Sequence, residues 1–186
     1  MKPIDLRTDR LRIRQFHERD AEDCLRFRAQ VFGIQEPRQR GVDWLQWTID
    51  SYRELAQLGQ PPYADYALEA RSNGHFLGSV GIVPTVIAWG ALGDDPADNL
   101  LSPEVGLFWG IMPRYRRRGF ASEAGMALLN YLFRELGIAR VVATTEKDNI
   151  ASQRTMERLG MTLQRNPLSE PSWCQVVGVI KHPSRR

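Results

Sequence analysis

Long apolar segments are scarce in this 186-residue chain. The longest, around Val80 to Val83 and Val176 to Ile180, are far too short to cross a bilayer. The segment before Phe16 holds no uninterrupted apolar stretch of signal-peptide length. We therefore expect a cytoplasmic protein without a membrane partner, whose 42% of apolar residues can form a sizeable core.

Cysteine and excess charge are also scarce. Cys24 and Cys174 lie far apart, with neither metal-type nor redox-type spacing, so we expect no metal site and assign neither cysteine a function. The net charge is +3, and the aromatic residues fall at core spacing instead of among the basic ones. We therefore expect no nucleic-acid partner.

The segment from Glu104 to Ala124 places a short apolar run before a basic turn and a helix. Glu104 to Ile111 has the length and composition of a buried strand, which Pro113 ends. From Gly119 onward, apolar residues recur at helical spacing as far as Gly137. The first amides of a helix have no intrahelical acceptor and lie at the positive end of its dipole. This segment therefore predicts an anion site.

The turn before this helix is rich in arginine, whose planar fork binds phosphate bidentately. Gly119 allows a ligand to approach the backbone closely. The nucleotide-binding patterns GxxxxGK and GxGxxG are absent. The sequence thus predicts a phosphorylated cofactor without a familiar nucleotide loop, held near Arg114, Arg116, Arg117 and Arg118.

Three segments resemble one family. Arg116 to Ala121 fits the pattern Arg or Gln, two residues, Gly, one residue, Gly or Ala, which resembles the acetyl-coenzyme A signature of the GCN5-related N-acetyltransferases (GNAT). Arg140 to Met161 is similar to the family's second cofactor segment, in which an Asn opens a helix and Leu-Gly-Met closes it. Thr8 to Phe16 resembles the first strand of the branch that acetylates alanine or serine N-termini of ribosomal proteins.

The resemblance implies the α/β GNAT fold, with a single mixed, mostly antiparallel sheet of six or seven strands and helices on both faces. Its parallel strands four and five would splay apart to admit the pantetheine arm. We expect one N-acetyltransferase domain over residues 1–186. A polar stretch at about 85–103 is predicted to be a long loop, either a solvated excursion or an acceptor-binding lid.

Periodicity alone predicts the order of the elements. A strand containing Leu11 and Ile13 precedes a helix that ends at Gly33 and a second helix over Gly41 to Leu58. A hairpin follows, and then the Glu104 strand and the long helix. The later elements are strands from Arg140 and Met161 around the Asn149 helix, and a last strand over Trp173 to Ile180.

Acetyl-coenzyme A is the co-substrate that the resemblance implies. The residues it assigns to cofactor binding are Trp109, Ile111, Arg116, Arg117, Arg118, Gly119, Phe120, Ala121, Asn149 and Ser152. The thioester carbonyl would be polarised by a backbone N–H of the fourth strand, around Phe108 to Ile111.

Acetyl transfer to an amine needs a neutral amine, a polarised carbonyl and a proton for the departing thiolate. Glu104, at the head of the strand, is the first candidate for the general base, directly or through a water; alternatively it is solvated or paired with an arginine. Glu69 and Glu146 are reserve candidates. Many relatives carry a tyrosine acid where this chain has Met156, so Ser152 is predicted to be the acid, a cofactor contact or a helix cap.

The expected activity is transfer of acetyl to a primary amine by direct attack in a ternary complex. The acceptor, a small molecule or a protein N-terminus, stays open, as does the choice between monomer and homodimer. The absent tyrosine suggests one alternative, a non-catalytic acyl-coenzyme A sensor. Another is an enzyme of the same fold that uses a different acyl donor.

Overall fold

The computed structural model describes residues 4–92, 101–167 and 169–185, and within them it contains four α-helices and one sheet of eight strands. The helices are α1 (Ala21–Phe32), α2 (Arg38–Gln57), α3 (Phe120–Arg134) and α4 (Ile150–Arg158). The strands are β1 (Asp5–Arg7), β2 (Leu11–Arg14), β3 (Ala64–Ala70), β4 (Phe76–Ala88), β5 (Leu101–Ile111), β6 (Arg140–Thr145), β7 (Thr162–Arg165) and β8 (Val176–Lys181).

The sheet has the order β1-β2-β3-β4-β5-β6-β8-β7. Its parallel pair is β5 and β6, in register at Val105 with Val141 and at Gly106 with Val142. The pairs β1–β2, β2–β3, β3–β4, β6–β8 and β7–β8 are antiparallel. The mixed sheet with a parallel pair confirms the predicted fold class.

The strand count differs slightly from the six or seven expected. The additional strand is β1. Its three residues are too few to show the alternation of apolar and polar side chains that predicts a strand. Because β1 precedes the others, the parallel strands predicted as four and five are β5 and β6.

The chain forms two compact units. The first comprises Met1–Ile82 and Phe108–Ala127, and the second Val83–Leu107 and Leu128–Arg186. The prediction of a single domain stays a prediction.

In the first unit, α1 and α2 cover an apolar layer built on β3, β4 and the end of β5. Its buried residues include Phe16, Phe27, Leu45, Ala67 and Phe76. Gly110 is what allows α1 to lie directly on β5, since a Cβ there would come within 2.8 Å of the Phe27 ring.

In the second unit, α4 packs on β8 through Met156. This side chain is fully buried, and its sulfur would lie 3.0 Å from a Cβ at Gly178. Methionine fills irregular core space well, which explains why Met156 can be a core residue. A separate buried cluster contains Ile87, Val142 and Val177.

Several predicted boundaries are wrong. The last strand, predicted over Trp173 to Ile180, is Val176–Lys181, because Ser172–Cys174 forms a 3-10 helix. Helix α2 begins at Arg38, so Gly41 lies inside the helix and not at its start. Glycine suits this position because a Cβ there would collide with the Leu25 side chain.

The loop predicted at about 85–103 is shorter at both ends, since β4 continues through the β-branched run to Ala88 and β5 begins at Leu101. The remainder of that loop, 93–100, lies outside the described residues.

Candidate functional site

The basic turn that precedes α3 has an unusual backbone. Pro113–Tyr115 forms a short 3-10 helix, after which Arg117 has φ +61° and Gly119 has φ +81°. A left-handed conformation costs a non-glycine residue energy, and such residues concentrate at ligand sites. The turn leads straight into α3 at Phe120, so the free amides of the first helical turn follow the arginines directly.

The charge of this turn is uncompensated. Arg114, Arg116, Arg117 and Arg118 are exposed, and none of them forms an ion pair with a carboxylate in the described part of the chain. Arg116 donates from Nε to the Ile111 carbonyl at 3.0 Å, and the Arg114 and Arg118 guanidiniums lie 4.7 and 5.9 Å from the centre of the Tyr115 ring. Positive charge is therefore concentrated at the N-terminus of α3.

Glu123, in the first turn of α3, would oppose an anion but is neutralised locally. Thr8 donates to its carboxylate at 2.5 Å, and Arg10 donates from its backbone N–H at 3.1 Å and from Nε at 2.7 Å. Burial would raise the pKa of the Glu123 carboxyl, but these hydrogen bonds outweigh burial and hold the pKa below its usual range.

The same arginine reaches the basic turn. Arg10 donates to the Arg118 carbonyl at 3.1 Å, and its guanidinium lies 4.7 Å from the centre of the Phe120 ring. Arg10 thus connects the β1–β2 turn to the last arginine of the basic turn and to the first residue of α3.

The end of β5 presents one face to α1. Phe108 is half-buried and packs against Phe32 with ring centres 5.7 Å apart, while Phe32 remains 48% exposed. Trp109 is half-buried and Ile111 is buried. An aromatic wall therefore flanks the strand segment whose amides were predicted to polarise the thioester.

Asp65 lies on the same face of the sheet as this segment. It is opposite Gly81 in the β3–β4 ladder, and a Cβ at Gly81 would lie 2.7 Å from its Oδ1. No hydrogen-bond donor within the described ranges contacts its carboxylate. Burial raises the pKa of the Asp65 carboxyl to about 6, against an opposing effect of Arg28.

Glu104 is a buried, fully engaged carboxylate in the second unit. Trp89 donates to it from Nε1 at 2.9 Å, and Arg140 donates from Nε at 3.0 Å and makes a second, shorter contact. Its side chain is 5% exposed. Of the alternatives considered for Glu104, the structure has the pairing with an arginine.

The reserve candidates have other surroundings. Glu69 bonds to Arg14, which also holds Asp20 in a buried ion cluster. Glu146 is exposed just beyond β6.

At the start of α4, Asn149 is the N-cap, because its side chain accepts a hydrogen bond from the Ser152 N–H at 3.1 Å. Ser152 is the third residue of the helix, so the alternative in which its hydroxyl caps the helix is wrong. Met156 is fully buried and has no proton to donate. Whether Ser152 supplies an acid or a cofactor contact stays a prediction.

Comparison with known proteins identifies the family. The family model described as an acetyltransferase (GNAT) domain matches residues 10–162. This chain belongs to the GNAT acetyltransferase family, as the three sequence segments predicted.

Among individual relatives, an uncharacterised N-acetyltransferase of Bacillus subtilis, YnaD, is 43% identical over 28% of this chain and 31% of its own length. Another from the same organism, YoaA, is 28% identical over 86% of this chain and 83% of its own. The match thus spans about a third of YnaD and most of YoaA.

A solved structure of RimL, a ribosomal L7/L12 alpha-N-protein acetyltransferase in complex with coenzyme A, is similar over 92% of this chain and 93% of its own. The TM-score is 0.62 and the identity 16%, so this likeness concerns the fold. No helix among the described residues is both long and apolar enough to span a membrane.

Two residues of this arrangement escaped the sequence analysis. Arg10 and Asp65 each act across strands, and neither is adjacent to the cofactor signatures. The available signal for Asp65 was an acidic residue inside the β3 run, facing a glycine in the next strand.

Proposed function

We propose that this protein transfers an acetyl group from acetyl-coenzyme A to a primary amine by direct attack. The observation that carries the proposal is the cluster of unpaired guanidiniums on a left-handed turn at the N-terminus of α3. Four arginines beside free helix amides suit the phosphates of coenzyme A, because both groups favour a multiply charged anion.

The residues present fit this co-substrate. The phosphate portion would be bound by Arg116, Arg117 and Arg118 and by the backbone from Gly119 through Phe120 to Ala121, whose amides are free at the start of α3. Asn149 would contact the pantetheine amides through its side-chain NH₂, because its carbonyl oxygen already caps α4. The bound thioester supplies an activated acetyl group with a good leaving thiol.

The backbone of β5 would orient and polarise the acetyl carbonyl. An N–H of the segment from Phe108 to Ile111, including Trp109, would donate to the oxygen as negative charge develops there. The Phe32–Phe108 wall keeps this region apolar, which strengthens such a hydrogen bond.

The leaving thiolate needs a proton. Ser152 is the candidate donor in α4, and the burial of Met156 leaves this helix without the family's tyrosine. A thiol pKa of about 8.5 means that solvent can also protonate the thiolate near neutral pH. The missing tyrosine therefore slows the reaction less than it would with a poorer leaving group.

Glu104 remains a candidate base from its position at the head of the strand. A base role requires it to loosen its contacts with Arg140 and Trp89, because those hydrogen bonds occupy the carboxylate oxygens that would accept the proton. Those contacts support a second role, in which Glu104 fixes β5 beside β6.

Gly119→Asp tests the proposed site, with Gly137→Asp as the matched control. Both glycines have positive φ, +81° and +63°, so each change imposes a similar backbone strain, but only Gly119 adjoins the arginine turn. We expect Gly119→Asp to abolish the thermal shift caused by acetyl-coenzyme A and Gly137→Asp to retain it. An equal shift in both variants contradicts the site.

The same titration separates catalysis from sensing. A large shift with turnover on an amine supports the transferase. A large shift with no turnover on peptides or small amines favours the acyl-coenzyme A sensor, and competition among acyl-coenzyme A donors identifies another acyl group.

A further inference from the structure

Three neighbouring strands place Asp65, Gly81 and Phe108 in one row across the sheet. Asp65 is opposite Gly81 in the β3–β4 ladder. On the other side of β4, Met112 donates its N–H to the Leu77 carbonyl at 2.9 Å. Counting inward along this antiparallel pair puts Gly81 opposite Phe108.

The far end of the same pair gives the same register. A Cβ at Gly106 would meet the Val83 side chain at 3.0 Å and its carbonyl at 3.1 Å, so these two residues are opposite each other. Counting back from Val83 and Gly106 again brings Gly81 to Phe108. The row is therefore fixed from both ends.

Gly81 makes room for the Asp65 carboxylate in the middle of this row. Its missing side chain would point at the Asp65 carboxylate, on the face that carries Phe108 and Gly110. The Asp65 carboxylate therefore leans across β4 and lies about one strand spacing, about 5 Å, from the Phe108 backbone. That distance accommodates an amine between the carboxylate and an acetyl group bound at Phe108.

Charged and titratable groups surround Asp65 without bonding to it. Arg28 in α1 gives both of its bonds to Glu36, at 2.7 and 3.1 Å, and stacks on Trp44. Tyr52 in α2 donates to the Asp65 backbone carbonyl, not to its carboxylate. Cys24 in α1 is fully buried, and burial raises the pKa of its thiol to about 12, so it stays neutral.

The Asp65 carboxylate is thus a proton acceptor whose oxygens still reach solvent. On the basis of the proposed acetyl transfer, we infer that Asp65 is the general base that takes the proton from the acceptor amine. Because burial raises the pKa of this carboxyl to about 6, it is ionised at neutral pH yet more basic than a solvated aspartate.

Asp65 takes one proton from the bound ammonium, and the neutral amine forms a C–N bond with the thioester carbonyl carbon. When the C–S bond breaks, the thiolate takes the second proton lost from nitrogen. The proton on Asp65 passes to solvent, and the products are an amide and free coenzyme A.

Asp65→Asn is the test, with Asp43→Asn as the matched control on the exposed side of α2. The kcat of wild type should fall about tenfold per pH unit below pH 6. At pH 8, Asp65→Asn should lower kcat at least about 100-fold without changing the acetyl-coenzyme A thermal shift. The ratio of wild-type kcat to Asp65→Asn kcat should be about tenfold smaller at pH 5, where wild-type Asp65 is itself largely protonated.

A stability measurement separates a catalytic carboxylate from a structural one. The folded-state pKa of Asp65 is about 6 and exceeds the unfolded value of 3.8. The ionised carboxylate therefore lowers the free energy of unfolding at pH values above about 6. Asp65→Asn should match wild type near pH 4 and be the more stable protein at pH 8. Asp43→Asn should follow wild type in both assays.

The outcomes are distinguishable. Wild-type kcat in Asp65→Asn at pH 8 overturns the assignment of Asp65 and leaves the acetyl transfer intact. If the wild type acetylates no amine, the proposed function fails. The role of Asp65 is then decided only by the stability of Asp65→Asn relative to wild type at pH 8. A variant less stable than wild type at pH 8 then shows that the carboxylate serves the fold.

Discussion

At the scale of single residues, three carboxylates of the first unit differ in what surrounds them. Asp20 and Glu69 share the guanidinium of Arg14, whereas Asp65 has no donor among the residues described. Ion-paired carboxylates in a buried cluster serve the fold, and breaking one is costly. An unpaired carboxylate destabilises the fold and is retained where it has another use.

Ser152→Ala and Asn149→Ala separate helix capping from chemistry. In the cap, Ser152 uses its backbone N–H, which alanine keeps, so Ser152→Ala should change stability by less than about 0.5 kcal/mol. Asn149→Ala removes the acceptor and should cost about 1 kcal/mol in urea unfolding. A fall in kcat for Ser152→Ala then reports proton donation or thioester positioning. An unchanged kcat removes Ser152 from the mechanism.

Glu104→Gln tests the ion pair of the second unit. The change leaves Arg140 without its counter-charge, but this arginine is 39% exposed, so solvent screening limits the loss to about 1–3 kcal/mol. Chemical denaturation measures it. With Asp65 as the base, the acid limb of kcat stays near pH 6 in this variant. Disappearance of that limb in Glu104→Gln would overturn the assignment of Asp65 as the base.

At the scale of elements, the N-terminus of α3 depends on an arginine from another hairpin. Arg10 neutralises Glu123, holds the Arg118 carbonyl and stacks on Phe120. Arg10→Gln should therefore raise the KM for acetyl-coenzyme A about tenfold and change kcat less than threefold, because it disturbs only the phosphate end.

Arg12→Gln is the control for that change. Arg12 lies two residues further on, in β2, and pairs with Asp5 near the surface. It should leave the KM for acetyl-coenzyme A unchanged. Equal effects of the two substitutions would show that Arg10 acts through general loss of charge.

Most elements of this fold could be predicted from the sequence. Glycine stops and apolar periodicity located all four helices, because Gly33, Gly137 and Gly160 do adopt positive φ where the helices end. The short strand β1 was missed because its formation depends on pairing with β2. The start of α2 was predicted three residues too late, because glycine usually marks a helix end. Here Gly41 lies within the helix, where it packs against Leu25.

The site was predictable only where it is continuous in sequence. The arginine turn and the Asn149 cap are local patterns, and both could be identified from neighbouring residues. The row from Asp65 through Gly81 to Phe108 depends on the register of two strand pairs, which no local pattern encodes. The partner of Glu104 likewise became visible only in the parallel β5–β6 arrangement.

At the scale of the whole molecule, stability should fall steeply in acid. Burial alone would raise the pKa of Asp20, but the bonds from Arg14 outweigh it and hold the pKa below its usual range. A lowered pKa contributes stability above the unfolded value of 3.8, and this stability is lost as the pH falls through the folded-state pKa.

Asp20→Asn should therefore cost about 3–5 kcal/mol at pH 7, where it leaves Arg14 short of one counter-charge. The variant and the wild type should converge in acid as the pH falls through the lowered folded-state pKa of Asp20, because the wild-type carboxyl is then protonated in both states. Urea unfolding at pH 7 and in acid measures the difference. A constant cost at both would assign the loss to packing.

Transfer of acetyl from acetyl-coenzyme A to an amine is the activity on which every proposed residue role depends. The most direct measurement is coenzyme A release from acetyl-coenzyme A in the presence of a mixed panel of N-terminal peptides and small amines, with the cofactor-induced thermal shift recorded alongside. We expect a clear shift and amine-dependent release on at least one class of acceptor. If the protein shows neither, it does not transfer acetyl from acetyl-coenzyme A to these amines.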